Sequence, residues 1–324
     1  MPPMERMLVS RIEPALDDAL DDLGLPQRRS DSIKRQKYIH LAARHFTEEG
    51  DHPLTYSWYK WGINQPDGPS ENPHPQTFIA DPAGANDIIE TSHSDFEDFF
   101  KTGIPDLALE DWWGVDSHLK FLQQFYTVYQ DTAYQDVYLA NVDLLQTLTE
   151  IQDVLHDGDN PVDKSTYYRF CKETSALKEA VLSYHELEEH YERLTKCTNL
   201  LEDVVMVLGK SESEVIQTGH ETAFKELKKL YQELTWLIIA SKISIQTATG
   251  NNKEKVMQRS ERRLSDKIEE FNSEYKQKED ICQSLNLLPD LEDYTQFQDM
   301  GRDEEFSETF DKFMEVVDGR ATCE

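Results

Sequence analysis

The stretch LKEAVLSYHELEEHYERLTKCTNLLEDVVMVL, residues 177–208, decides the fold of this chain. One set of mostly apolar side chains recurs at every seventh position: Leu177, Tyr184, Tyr191, Thr198 and Val205. A second set lies three positions after each of these: Ala180, Leu187, Leu194, Leu201 and Leu208. Side chains with this spacing form one stripe along an α-helix, which packs against a neighbouring helix as in a coiled coil. The stretch therefore predicts a long helix with a buried seam.

Two further helices are predicted downstream of this stretch. The first has an apolar stripe wide enough to contact two neighbours, formed by Ala223, Phe224, Leu227, Leu230, Tyr231, Leu234, Leu237 and Ile238. The second repeats the heptad with Met257, Leu264, Phe271 and Leu285 alternating with Ile268, Tyr275 and Cys282. Because short turns join these helices, residues 164–288 are predicted to form a three-helix antiparallel bundle. Its first helix, residues 164–208, would be on the order of 65 Å long.

Residues 1–156 are predicted to form a separate N-terminal domain, since the run DGDNPVD at 157–163 is a strong helix breaker and a plausible linker. Helices are expected at about 4–23, 33–49, 108–113 and 115–150, an aromatic strand within 53–62, and a Pro-rich loop at 64–82. Residues 289–324 form an acidic, aromatic tail. The predicted fold class is mainly α: a small helical N-terminal domain with a short strand, followed by an antiparallel long-helix coiled-coil bundle.

The charge of the chain indicates its environment. A formal net charge of −30 is spread along the sequence instead of being concentrated in one tail. Dispersed acids suit a cytoplasm rich in salt, where they are screened and hydrated. We therefore favour a cytoplasmic protein of an extreme halophile, or of a virus or plasmid that lives in one, over an ordinary acidic protein. The most apolar run, residues 234–240, is shorter than the ~20 residues of a membrane span, so no membrane association is expected.

No pattern for catalysis, a cofactor or a metal stands out. His185 and His190 are five positions apart, about 140° around a helix, whereas a zinc pair needs a spacing of four. The acidic run at 157–163 has its glycine misplaced for a calcium loop. Neither a Gly-rich phosphate loop nor a Cys-x-x-Cys pair is present. We therefore predict a protein that is not an enzyme and carries no cofactor or metal.

One segment of the chain is locally basic. This basic segment consists of Arg28, Arg29, Lys34, Arg35, Lys37 and Arg44. It could contact phosphate or an acidic partner surface. Alternatively, it could pair within the molecule with the acidic run at residues 17–22, which we favour because acids surround the segment in the sequence.

A second candidate contact is the aromatic segment, defined by Tyr56, Trp58, Tyr59 and Trp61. Exposed aromatic side chains are common at partner contacts, and they can also stack on nucleic-acid bases. Alternation along a strand equally suits the core of a small domain, and that structural role is the one we favour.

Residues 33–62 resemble the opening of the Panacea domain family. The resemblance rests on Lys37, Tyr38, Leu41 and Ala42 in a helix, followed by Trp58, Trp61 and Gly62 in an aromatic segment. The sequence departs from the family where Ile63 follows Gly62 in place of proline. The resemblance implies a helical, antitoxin-like or adaptor domain that neutralises or delivers a protein partner.

These observations favour a non-catalytic interaction or scaffold protein. The expected partner is a protein, not nucleic acid or a membrane, and the bundle could also form a homo-oligomer. The basic and aromatic segments are the candidate partner-binding residues. A nucleic-acid-associated regulator that uses residues 28–44, and an enzyme with an unrecognised site, remain as alternatives.

Overall fold

The computed structural model of the protein describes residues 3–26, 32–47, 54, 56–60, 62–64, 90–128, 133–157, 162–210, 218–250 and 252–290. This part of the chain is mainly helical. Its α-helices are α1 (Pro3–Asp22), α2 (Ser32–His45), α3 (His93–Thr102), α4 (Leu109–Trp112), α5 (His118–Val128), α6 (Gln135–Asp157), α7 (Lys164–Leu182), α8 (Glu188–Lys210), α9 (Thr218–Leu230), α10 (Trp236–Thr247) and α11 (Lys253–Ser284). The strands are β1 (Ser57–Tyr59) and β2 (Gly62–Asn64). Nearly all of the predicted Pro-rich loop and acidic tail lies outside the described residues.

Helix α1 follows the apolar periodicity of its sequence. The side chains of Leu8, Ile12, Leu16 and Leu20 are fully buried where α1 packs against α2 and α3. The helix ends at Asp22 and is followed by Gly24, whose φ of +66° is in the left-handed region that glycine adopts without strain. The predicted helices at 4–23 and 33–49 thus correspond closely to α1 and α2.

Helix α3 was not among the predicted helices. Its start is fixed by a capping box, in which the Ser92 hydroxyl accepts the Asp95 N–H and the Asp95 carboxylate accepts the Ser92 N–H, both at 3.2 Å. Phe96 and Phe100, each 1% exposed, then point into the core. The signal for this helix was local, a Ser followed three positions later by an acid.

The aromatic segment forms a β-hairpin instead of a single strand. Gly62, predicted to end a strand, begins the second strand of the antiparallel pair. The hairpin is attached to the C-terminal half of the chain, because the Thr249 N–H donates to the Tyr56 carbonyl oxygen at 3.1 Å. The Trp236 indole N–H donates to the Lys60 carbonyl oxygen at 2.8 Å. Contacts distant in sequence therefore hold this segment in place.

Two predicted helices are interrupted. The single helix expected over 115–150 is wrong, because α5 ends at Val128 and α6 begins at Gln135. The single helix expected over 164–208 is also wrong: α7 ends at Leu182, and an extended residue and a 3-10 turn precede α8. The bundle therefore lacks the long arm that an unbroken helix would give.

The two interruptions contact each other, which gives them a common physical cause. Tyr134, with a φ of +71°, donates its backbone N–H to the Tyr184 hydroxyl oxygen at 3.1 Å. The Tyr184 hydroxyl donates to Asp136 at 2.8 Å, and the Tyr134 hydroxyl donates to Glu186. The first of these bonds satisfies the backbone N–H of a residue whose left-handed conformation interrupts the helix. A heptad pattern describes spacing within one helix, so it does not predict hydrogen bonds between residues about 50 positions apart.

The C-terminal half is a bundle with more helices than predicted. Helix α7 packs between α6 and α8, while α9 and α10 form one continuous helical rod through the π-helical turn Tyr231–Thr235. The rod contacts α6, α8 and α11. The rod and α11 are antiparallel, because Lys278 pairs with Glu226 at 2.9 Å near one end and the Ser244 and Ser260 hydroxyl oxygens lie 2.9 Å apart near the other. The bundle thus includes α6, which the sequence had placed before the boundary at 157–163.

The predicted seam is buried except at Tyr184 and Tyr191, which are half-buried. Leu177, Leu187, Leu194, Leu201 and Leu208 are all 0% exposed. Buried apolar side chains from α1 through α11 form one continuous cluster among the described residues. The helices on either side of 157–163, α6 and α7, pack against each other. Within the described residues, no helix is both long enough and apolar enough to cross a bilayer.

Candidate functional site

The basic segment does not form one surface in the structure. Its described members occupy three environments: Lys34 and Lys37 are 1% exposed, Arg35 is half-buried and Arg44 is exposed. Arg28 and Arg29 lie outside the described residues. Three of its four described members are therefore buried or half-buried in the fold.

Lys34 caps the short helix α4. Its ammonium donates to the carbonyl oxygens of Trp113 at 2.6 Å, Val115 at 2.7 Å and Trp112 at 3.2 Å. These carbonyls lie at and just beyond the C-terminus of α4, where carbonyl groups lack helical partners and the helix dipole is negative. An ammonium has three donors, and all three are used here. Lys34 therefore has a structural role.

Lys37 lies one turn further along α2. Its ammonium lies 5.3 Å from the centroid of the Phe125 ring. Burial lowers the pKa of this ammonium well below its usual range, because the charged form loses its hydration. In this conformation neither Lys34 nor Lys37 can reach a macromolecular partner.

Arg35 pairs with acids of α1. Its guanidinium lies 2.7 Å from an Asp17 carboxylate oxygen and 3.6 Å from a Glu13 carboxylate oxygen. Burial raises the pKa of Glu13, and the nearby Arg35 partly opposes that rise. This is the internal pairing with the acidic run around residues 17–22 that the sequence offered as one of two possibilities.

The aromatic segment is partly built into the fold. Tyr56 is half-buried, and its ring meets the fully buried His40 ring edge-on at 4.7 Å between centroids. Burial raises the pKa of Tyr56, with partial opposition from Arg44. Trp58 and Tyr59 lie in β1, and Trp61 lies outside the described residues. Tyr56 therefore contributes to packing.

The two histidines of the HELEEH stretch differ in environment. The His185 side chain is 93% exposed, whereas that of His190 is 2% exposed. Burial lowers the pKa of His190 to about 4, so it is neutral near pH 7. In the part of the chain that the structure describes, no group of three or more His, Cys, Asp or Glu side chains is placed to hold a metal ion.

An open cleft with a mixed apolar and polar lining lies between α4, α5 and α6. It has a volume of about 600 Å³, within the range of small-ligand and peptide-side-chain pockets. We call it the glutamine cleft, and its lining includes Trp112, Lys120, Gln123, Leu139, Asp143 and Gln146. The lining thus combines apolar and amide side chains with one half-buried carboxylate.

A hydrogen-bond relay fixes the amides of the cleft. The Gln146 amide donates to the Gln123 carbonyl oxygen at 3.3 Å, and the Gln123 amide donates to the Asp143 carboxylate at 2.7 Å. Burial raises the pKa of Asp143, and the bond from Gln123 partly opposes that rise. The relay therefore orients the side chains before any ligand arrives.

Sequence reasoning missed this cleft. Gln123 lies on α5 and Gln146 on α6, so no short motif contains both. The sequence contains only a weak signal for the cleft, which is the presence of polar side chains in two otherwise apolar helices. Only the packing of α5 against α6 brings the relay together.

Comparison with known proteins places the chain in a family without assigning a function. A family model described as a domain of unknown function, DUF8098, matches residues 73–315, a range that contains α3 to α11 and the glutamine cleft. No curated protein and no solved structure matches the chain. Because the family model matches well over half of its residues, this chain belongs to the DUF8098 family.

Proposed function

We propose that this protein is a non-catalytic interaction protein that binds a protein partner through an acidic surface. The observation that supports this proposal most directly is the internal use of the basic segment. Lys34 binds main-chain carbonyls, Lys37 is in the core, and Arg35 binds α1 acids. With these cations engaged in a chain of net charge −30, the accessible surface is dominated by carboxylates.

An acidic surface of this kind favours a protein partner over nucleic acid. Binding to a duplex requires Lys and Arg side chains that replace condensed counterions at the phosphates. Burial of Lys34 and Lys37 removes two of the cations that the nucleic-acid alternative needs. Carboxylates instead complement Lys and Arg on a protein, and such complementarity selects partners and speeds association.

The proposal assigns different tasks to different parts of the chain. Residues 1–156 would make the specific contact, consistent with an antitoxin-like or adaptor role. The helices of 164–288 would act as scaffold or as a homo-oligomer surface. The salt-rich cytoplasm of a halophile, or of its mobile element, would be the setting in which this charge is screened.

Two measurements test the proposal. The tagged full-length chain, purified from its source organism at that organism's salt concentration, should retain a protein in fixed stoichiometry. That protein should rebind when both are purified separately and mixed. Fluorescence anisotropy with a random-sequence duplex, from low to molar KCl, should show no binding at native salt. Tight duplex binding that persists in molar KCl, without a stoichiometric protein, would replace the proposal with the nucleic-acid regulator.

A further inference from the structure

Asp143 is a half-buried carboxylate with no cationic partner in the described part of the chain. Its hydrogen bond comes from the neutral amide of Gln123 at 2.7 Å. Two other partly buried carboxylates do have cationic partners: Glu202 accepts from the Lys178 ammonium at 2.9 Å, and Asp17 lies 2.7 Å from the Arg35 guanidinium. A carboxylate withdrawn from water is costly unless it is paired. The floor of the glutamine cleft therefore offers a place for a ligand cation.

The amides of the cleft define what else a ligand must carry. The relay uses one N–H of Gln123 and one N–H of Gln146. Among the described residues, the second N–H of each amide and the Gln146 carbonyl oxygen have no partner, so they can bind a ligand. The exposed Lys120, about one turn from Gln123 on α5, can also donate to an acceptor on a ligand. A ligand that carries acceptors as well as a cation would therefore use more of the cleft's polar groups.

The apolar part of the lining suits the stem of a long side chain. Trp112 and Leu139 are both half-buried and line the cleft. An Arg guanidinium or Lys ammonium is attracted to the face of an indole ring by a cation–π interaction. The methylene groups of either side chain pack on apolar surface. The cleft thus combines a carboxylate for the charged end with apolar surface for the stem.

An extended peptide is the chemical class that meets all three requirements. Each residue brings a main-chain carbonyl acceptor and, except for proline, an N–H donor, and Lys or Arg brings the cation. A polyamine has no acceptor for the amides and for Lys120. A nucleic acid would bring phosphates towards the exposed acids of the α3–α5 connection, which are Asp106, Glu110, Asp111 and Asp116. Charge and hydrogen-bonding capacity therefore both favour a basic peptide.

From this geometry we infer that the glutamine cleft binds an extended segment of the protein partner and that a Lys or Arg side chain of the segment binds Asp143. The inference rests on the proposed interaction function. It adds a defined docking site and a defined partner chemistry.

The test uses the full-length chain and a random-peptide library selected at both low and molar KCl. Fluorescence anisotropy then measures enriched peptides against the unmodified chain and against Asp143→Asn, Trp112→Ala and the distant surface variant Glu192→Gln. Asp143→Asn keeps a carbonyl oxygen for the Gln123 amide, and removing the buried charge should leave its melting temperature unchanged or raised. Enriched peptides should share a Lys or Arg. Their affinity should fall about tenfold in Asp143→Asn and be unchanged in Glu192→Gln.

A matched peptide in which citrulline replaces Arg completes a double-mutant cycle. If the Arg binds Asp143, citrulline should weaken binding to the unmodified chain but not weaken binding to Asp143→Asn further. Enriched peptides that bind both chains equally would overturn the cleft assignment while leaving the interaction function to its own co-purification test. Failure to enrich any peptide would also overturn the cleft assignment. Binding of spermidine or duplex DNA that depends on Asp143 would also overturn it, because the ligand would then not be a peptide.

Discussion

The ammonium nitrogen of Lys34 on α2 lies 2.6 Å from the carbonyl oxygen of Trp113, at the C-terminal end of α4. This bond joins segments 79 positions apart in the sequence. In the sequence Lys34 looks like part of a charged surface, but in the structure it caps the four-residue helix α4. Trp112, at the end of that helix, lines the glutamine cleft. A buried lysine therefore supports one wall of the candidate site.

Replacing Lys34 with methionine should destabilise the protein. Lys34→Met keeps the apolar stem but leaves three carbonyl groups without their donor. The expected loss is on the order of 3 kcal/mol in the free energy of unfolding, measured by urea denaturation. Lys172→Met, at an exposed position of α7, is the control and should change stability by less than about 0.5 kcal/mol. Equal effects would show that Lys34 is not a cap.

Lys37 should respond differently because its charge is buried beside a ring. Its pKa is lowered in the folded state, so between that value and about 10.4 the unfolded chain binds more protons than the folded chain. Stability of the unmodified protein therefore gains a component that rises with pH, by at most about 1.4 kcal/mol per pH unit. In Lys37→Met this component is lost. The stability of the variant relative to the unmodified protein should fall from pH 7 to pH 10, and parallel denaturation curves would contradict the assignment.

Glu173 on α7 should contribute a pH dependence of the opposite sign. Burial raises its pKa to about 7, with smaller contributions from the Asp143 and Glu150 carboxylates. Between pH 4.5 and 7 the folded chain binds more protons at this group than the unfolded chain, so its contribution to stability falls as pH rises. Glu173→Gln should match the unmodified protein near pH 4 and become more stable by pH 8, by less than about 1 kcal/mol because solvent screens the group. Glu192→Gln, exposed on α8, should show no such divergence in thermal unfolding.

The heptad seam gives a direct test of the bundle. Leu194 on α8 is 0% exposed, so Leu194→Asp would place an unpaired carboxylate in the core. The expected loss of stability exceeds about 4 kcal/mol, enough to unfold a marginal protein. Glu188→Ala and Glu192→Ala change exposed positions of the same helix and should have little effect. Comparable denaturation midpoints for all three variants would show that the register is misassigned.

Salt should stabilise this protein strongly. A net charge of −30 repels itself in dilute buffer, and KCl both screens that repulsion and strengthens apolar burial. The melting temperature, followed by circular dichroism, should rise steeply from dilute to molar KCl. A constant melting temperature across the series would rule out the halophile interpretation.

Much of the architecture could be predicted from periodicity, because helical burial is a local property of spacing. The stripe Leu187, Leu194 and Leu201 is buried as its seven-residue spacing requires. Gly24 terminates α1 with a left-handed backbone conformation, which glycine adopts without strain because it has no Cβ. The breaks at Tyr134 and Tyr184 were not predictable, since each is stabilised by the other across about 50 positions of sequence.

The sequence by itself determined that this protein is mainly helical, that its apolar stripes are buried and that its charge is acidic, because those properties depend on residue type and short-range spacing. Only the tertiary structure decided which charges remain accessible. Lys34, Lys37 and Arg35 lie within four positions of one another, yet one caps a helix, one is buried beside Phe125 and one binds Asp17. The glutamine cleft likewise exists only where α5 packs on α6. Burial and pairing depend on which residues from the rest of the chain pack against each side chain, and the local sequence does not specify those residues.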